Sequence, residues 1–133
     1  MVLLNLGVLY LDTDQPAQAL PPLREALEAA ELLGLLGMQG VLRIRLAEAT
    51  VRLNQPDAWQ QAQHALRELH QAGDPLHIAL GTCFAGQIAA RLGMTDDARR
   101  CLEQSETALS TLEMPPTSML RANIAALRSL LKG

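Results

Sequence analysis

The sequence predicts an all-α protein. Of its 133 residues, 27 are leucine and 20 are alanine, and both residue types favour helices. Aromatic residues make up only 2% of the chain, whereas sandwiches and barrels are rich in aromatic and β-branched residues. Apolar residues recur at helical spacing in three similar stretches, and this pattern predicts a repeated helical hairpin.

The first stretch predicts two helices joined by a short turn. Leu6, Gly7 and Tyr10 share one face of a helix. The polar run 12–15 interrupts this pattern, and Pro16 suits the first turn of the next helix. That second helix carries one apolar stripe, formed by Ala19, Leu23, Ala26, Leu27 and Ala30.

The same arrangement returns twice along the chain. Gly7 and Gly86 are 79 residues apart, which is two periods of about 40, and Ala19 and Ala98 each follow twelve residues later. The middle stretch fits with one residue fewer near its turn at 54–56. The predicted bounds are about 1–36 for repeat 1, 38–73 for repeat 2 and 76–112 for repeat 3.

A single amphipathic helix is predicted at about 116–132. Its apolar side is formed by Leu120, Ile124, Leu127 and Leu131. Since an array of repeats needs a terminal cap with a polar outer face, we expect this helix to be the cap of a single domain, 1–133. No polar lead-in precedes the first repeat, so we expect the chain to be a piece of a longer protein.

Small residues occupy mid-helix positions in each predicted hairpin. A glycine there costs about 1 kcal/mol relative to alanine, so the pattern indicates close approach of the partner helix. We expect the small residues to meet across each hairpin in three pairs, which are Gly7 with Ala19, Ala47 with Ala58, and Gly86 with Ala98.

Charge and cysteine content exclude several classes. The net charge is −3, so the basic footprint of a nucleic-acid-binding protein is missing. No apolar run approaches the roughly 18 residues of a membrane span. Cys83 and Cys101 are too few for a disulfide framework, which favours a cytoplasmic protein with free thiols. We expect these two cysteines at opposite ends of their hairpin, without a disulfide.

The spacing of the first unit resembles the tetratricopeptide repeat, whose pattern is W-x₂-L-G-x₂-Y followed by A-x₃-F. Here it reads Leu3-x₂-Leu6-Gly7-x₂-Tyr10 and then Ala19-x₃-Leu23. The longer period is similar to the long-repeat variety of bacterial signalling proteins and large ATP-dependent transcriptional activators. The resemblance covers about 1–112 and implies an α-α superhelix of three hairpins with a concave groove.

The resemblance also places residues in that groove. The first helices of the hairpins supply them, and the positions are Leu4, Val8, Leu11, Asp12, Ile44, Glu48, Val51, Arg52, Cys83, Gln87 and Arg91. The apolar ones either form an exposed strip that binds a helix or peptide, or belong to the core. The sequence alone does not decide between these two interpretations.

The resemblance and the groove together favour a protein–protein interaction module of a larger bacterial regulatory protein. The alternatives are a homodimerisation module that uses the same groove and a sensor of a peptide or small molecule. We expect no enzymatic activity, because the groove lacks a convergent set of titratable groups. We expect no cofactor and no metal, since His64, His70 and His77 lack the spacing of two ligands on one helix face.

Overall fold

The described part of the chain is entirely helical apart from its turns. A computed structural model describes residues 2–113, 115 and 118–132, and side chains from residue 6 onward. These residues form seven α-helices and no strand, which confirms the all-α prediction. The helices are α1 (Val2–Asp12), α2 (Pro16–Leu32), α3 (Leu36–Arg52), α4 (Ala58–Ala72), α5 (Pro75–Arg91), α6 (Thr95–Leu112) and α7 (Met119–Lys132).

The packing order of the helices follows the chain. Each helix packs against the next, and α1, α3, α5 and α7 also contact one another in that order. The even-numbered helices do not pack on each other within the described residues. The odd-numbered helices therefore form a continuous row, and each even-numbered helix packs against two neighbours in that row.

The turns repeat with the period seen in the sequence. Asp14, Asn54 and Gly93 follow α1, α3 and α5, have positive φ angles of 58°, 57° and 77°, and are 40 and 39 residues apart. At the first of these turns the N–H of Gln15 donates to the carbonyl of Tyr10 at 2.7 Å, as in a Schellman motif. The left-handed residues between successive hairpins are Gly34, Gly73 and Glu113.

The buried apolar side chains form two clusters that meet at α3. Leu42 and Ala49 face the smaller cluster, which α3 shares with α1 and α2. Ile44, Ala47 and Val51 face the larger cluster, which extends through α4, α5 and α6 to α7. Because α3 and α5 have neighbours on several sides, they bury residues around most of their circumference.

The predicted close approach of helices is confirmed at Gly7 and Gly86, although the nearest side chains are not the predicted alanines. A Cβ atom on Gly7 would lie 2.6 Å from the side chain of Leu23. A Cβ on Gly86 would lie 2.7 Å from Leu127 Cδ2 and 2.8 Å from Cys101 Cβ. The space beside Gly7 is filled by Leu23 of α2, and the space beside Gly86 by Leu127 of α7 and Cys101 of α6.

No helix in the described part of the chain is both long and apolar enough to cross a membrane.

Candidate functional site

An open cavity of about 350 Å³ lies along the row of odd-numbered helices. All four helices line it, through Asp12 of α1, Arg45, Glu48 and Arg52 of α3, Gln87 and Arg91 of α5, and Asn123, Ala126, Ser129 and Leu130 of α7. α1 and α7 are the two ends of the row and do not contact each other in the described residues. Since both line the same cavity, the row curves around it.

A buried ion-pair cluster forms one wall of the cavity. Arg45, Glu48 and Arg52 are three and four residues apart on α3, so their side chains share one face. Glu48 is only 1% exposed. Its carboxylate accepts from Arg45 Nη1 at 3.2 Å and 3.4 Å and from Arg52 Nη2 at 3.4 Å. One buried carboxylate thus pairs with two guanidinium groups, which leaves the cluster with a formal charge of +1.

The same cluster connects α3 to both neighbouring odd-numbered helices. Arg52 Nη1 donates to the carbonyl oxygen of Leu11 in the last turn of α1, where backbone carbonyls lack partners within the helix. Arg45 lies over the ring of Phe84 on α5, with Cζ 3.9 Å from the ring centroid, a cation–π contact. The cluster therefore fixes the spacing of α1, α3 and α5 around the cavity.

A polar contact joins α5 to α7 at the opposite wall. Gln87 is 5% exposed, and its Nε2 donates to the carbonyl oxygen of Asn123 at 3.1 Å and to Asn123 Oδ1 at 3.3 Å. The Asn123 Nδ2 donates to the Met119 carbonyl at 2.9 Å. Both amide side chains are thereby held in place beside the cavity.

Arg91 differs from the other two arginines of the cavity. It is the last residue of α5, its side chain is exposed, and it has no hydrogen bond or ion pair to any described residue. Desolvation lowers the pKa of its guanidinium, and the positive charge of Arg52 lowers it further, whereas Glu48 and Asp14 act in the opposite direction. The surroundings of Arg91 therefore disfavour its positive charge on balance.

Nine of the eleven predicted groove residues fall into two groups. Asp12, Glu48, Arg52, Gln87 and Arg91 line the cavity together. Four apolar positions do not form an exposed strip, the first of the two open interpretations, because they belong to the core with at most 7% exposure: Leu11, Ile44, Val51 and Cys83. Val8 is half-buried, and the side chain of Leu4 lies outside the described residues. For the buried positions the alternative reading as core is the correct one, since neighbouring helices pack directly over them.

The contribution of α7 to the cavity was not predicted from the sequence. Asn123, Ala126 and Leu130 line the cavity at spacings of three and four, so they form one face of α7 beside its buried stripe. That spacing was visible in the sequence. Arg45 was also missed as a groove residue, and its position three residues before Glu48 was the available signal.

Cys83 and Cys101 lie closer together than predicted. Cys101 packs against Gly86, one turn beyond Cys83, and the two thiols interact electrostatically. The predicted placement at opposite ends is wrong, because both residues lie at similar distances from the turn between α5 and α6. Both thiols are free and buried. Burial raises the pKa of Cys83 to about 12 and that of Cys101 to about 11, so both stay protonated and weakly nucleophilic at neutral pH.

The three histidines, which the sequence did not predict to be metal ligands, do not line the cavity. His64 and His70 are exposed. No group of three or more His, Cys, Asp or Glu side chains in the described part of the chain is placed to hold a metal ion.

Comparisons with protein-family models, with curated proteins and with solved structures found no match to this chain.

Proposed function

We propose that this chain is a protein-interaction module, a tetratricopeptide-like superhelix that presents a concave polar groove to a peptide. The carrying observation is the cavity that all four odd-numbered helices line. The 39- and 40-residue recurrence of the left-handed turns supports a superhelix of three hairpins, with α7 at its end. The longer-repeat resemblance supports a place within a larger, cytoplasmic bacterial regulatory protein.

The character of the lining favours a peptide over a small apolar ligand. A volume of about 350 Å³ is near the lower end of the range of about 300–1,000 Å³ for ligand pockets. Such pockets are lined mainly by apolar and aromatic side chains. Here seven of the ten lining residues are charged or amide-bearing, and the cavity is open to solvent, which suits a peptide with its polar backbone and side chains.

Homodimerisation through the groove receives less support. That alternative relied on Leu11, Ile44 and Val51 as apolar anchors, and all three are buried within one chain. Two copies that associate through this groove would have to bring its charged lining residues together. The peptide-binding interpretation needs no exposed apolar strip, so we favour it.

A peptide-display selection on the immobilised chain tests the proposal. Ala126 and Ala125 are adjacent, exposed residues of α7, but only Ala126 lines the cavity. We expect enriched peptides to lose about tenfold or more in affinity for Ala126→Trp, because the indole fills the cavity. Ala125→Trp is the matched control and should bind normally. Peptides that bind both variants equally, or the absence of any enriched peptide, would contradict the proposal.

A further inference from the structure

The guanidinium of Arg91 has no partner among the described residues, and this indicates which charge a ligand of the cavity should carry. Three arginines and two carboxylates line the cavity. The Glu48 carboxylate is shared between Arg45 and Arg52, and both guanidinium groups are largely buried. Asp12 and Arg91 are the cavity's remaining charged side chains, and neither has a hydrogen bond or ion pair to a described residue.

A positively charged wall lies beside Arg91. The cluster on α3 keeps one uncompensated positive charge, and Arg52 is close enough to Arg91 to disfavour a second one. A carboxylate placed next to Arg91 would pair with its guanidinium and offset the positive charge of Arg52, which Glu48 and Asp14 offset only in part. Guanidinium groups pair with carboxylates through two parallel hydrogen bonds, which adds geometric selectivity to the attraction.

We infer that the groove selects an acidic peptide and that Arg91 binds the carboxylate of an internal Asp or Glu side chain. The inference rests on the proposed function and names the chemistry of its partner. Ser129 is an exposed residue of the same lining and supplies a hydroxyl group for hydrogen bonds to the peptide backbone. Asp12 opposes an acidic ligand from the end of α1, so the carboxylate binds on the α5 side of the cavity.

Three capped peptides test the inference on the full chain. Each is labelled and blocked at both ends, so that only side chains carry charge, and alternates alanine with glutamate, glutamine or lysine. We expect the glutamate peptide to bind about tenfold or more tightly than the glutamine peptide, as for a charge-assisted hydrogen bond. The lysine peptide should bind most weakly, and the preference should decline with added salt.

Two substitutions with opposite expected effects assign the preference to the cavity. Arg91→Ala should remove the preference for glutamate, and Asp12→Asn should strengthen glutamate binding about twofold to threefold by removing a nearby negative charge. Arg99→Ala is the control for net charge, because Arg99 is exposed on α6 and does not line the cavity. Circular dichroism confirms that each variant folds.

The outcomes separate this inference from the proposed function. A glutamate peptide that binds no better than the glutamine peptide overturns the acidic preference, as does equal weakening by Arg91→Ala and Arg99→Ala. If display-selected peptides still lose affinity for Ala126→Trp, the peptide-binding groove stands while its acidic ligand is rejected. Selected peptides insensitive to Ala126→Trp reject the groove itself.

Discussion

Removing the Glu48 carboxylate should destabilise the protein more than any exposed charge substitution. Glu48→Ala leaves Arg45 and Arg52 facing each other, with side chains only 8% and 15% exposed. Breaking a buried ion pair by removing one partner costs about 3–5 kcal/mol. Both guanidinium groups also line an open cavity, where water can reach them. We therefore expect the lower end of that range, about 3 kcal/mol.

Urea denaturation followed by far-UV circular dichroism measures this loss. With a denaturant slope of about 2 kcal/mol per molar urea, the unfolding midpoint should fall by about 1.5 M. Glu106→Ala is the control, since Glu106 pairs with Arg128 on the surface and exposed pairs contribute about 0–1 kcal/mol. A Glu48→Ala midpoint as close to the wild-type value as that of Glu106→Ala would refute the assignment of a buried, coupled cluster.

Three further predictions concern packing, burial and pH. Gly86→Ala should lower the free energy of unfolding by about 1–3 kcal/mol in urea, because its Cβ would lie 2.8 Å from another Cβ; increased stability would contradict this packing. Val51→Glu should lower the melting temperature sharply, since Val51 is 7% exposed, whereas Leu32→Glu should not, since Leu32 is 88% exposed. Equal melting temperatures would contradict the burial of Val51. The third concerns Cys83, whose pKa burial raises from 9.0 to about 12. Its stabilising contribution is complete below pH 9 and declines by up to about 1.4 kcal/mol per pH unit as the pH rises toward 12, because the unfolded thiol ionises first. Unfolding free energies measured across this range should fall less steeply for Cys83→Ala, and an unchanged slope would show that the thiol is not desolvated.

Helix positions were predictable because local signals mark their ends. Pro16 begins α2, and α5 begins at Pro75, where the Asp74 side chain accepts from the N–H groups of Leu76 and His77 at 2.9 Å and 3.1 Å. Hydrophobic spacing identified the stripes of α4 and α6. These signals depend only on residues a few positions apart, so one sequence is enough to read them.

Local sequence signals could not predict which residues of α1, α3 and α5 are buried. α3 and α5 have neighbours on several sides, and their apolar residues are spread around the helix rather than gathered on one stripe. Whether Ile44 or Val51 faces solvent depends on how closely successive hairpins pack, which is set by residues far apart in the chain. The resemblance placed the groove on the first helices of the hairpins; α1, α3 and α5 do line the cavity, but only through their polar positions.

Burying the charged cluster of Arg45, Glu48 and Arg52 costs desolvation free energy. Replacing all three residues by apolar ones therefore tests what the cluster contributes to stability and to binding. A buried ion-pair cluster is often no more stabilising than apolar residues of similar volume. The triple variant Arg45→Met, Glu48→Met and Arg52→Met should therefore unfold at least as high in urea as Glu48→Ala, even though it loses the hydrogen bond to the Leu11 carbonyl.

The triple variant should keep its stability but lose affinity for acidic peptides. Methionines on this face of α3 would line the cavity with apolar surface and would remove the positive charge beside Arg91. Acidic peptides should bind the triple variant weakly although it is well folded. Glu48→Ala, in contrast, keeps both arginines and should bind acidic peptides at least as well as the wild type wherever it remains folded. If the triple variant kept its acidic preference in fluorescence anisotropy, the cluster would serve only to space α1, α3 and α5, and the groove's charge would have to come from Arg91 alone.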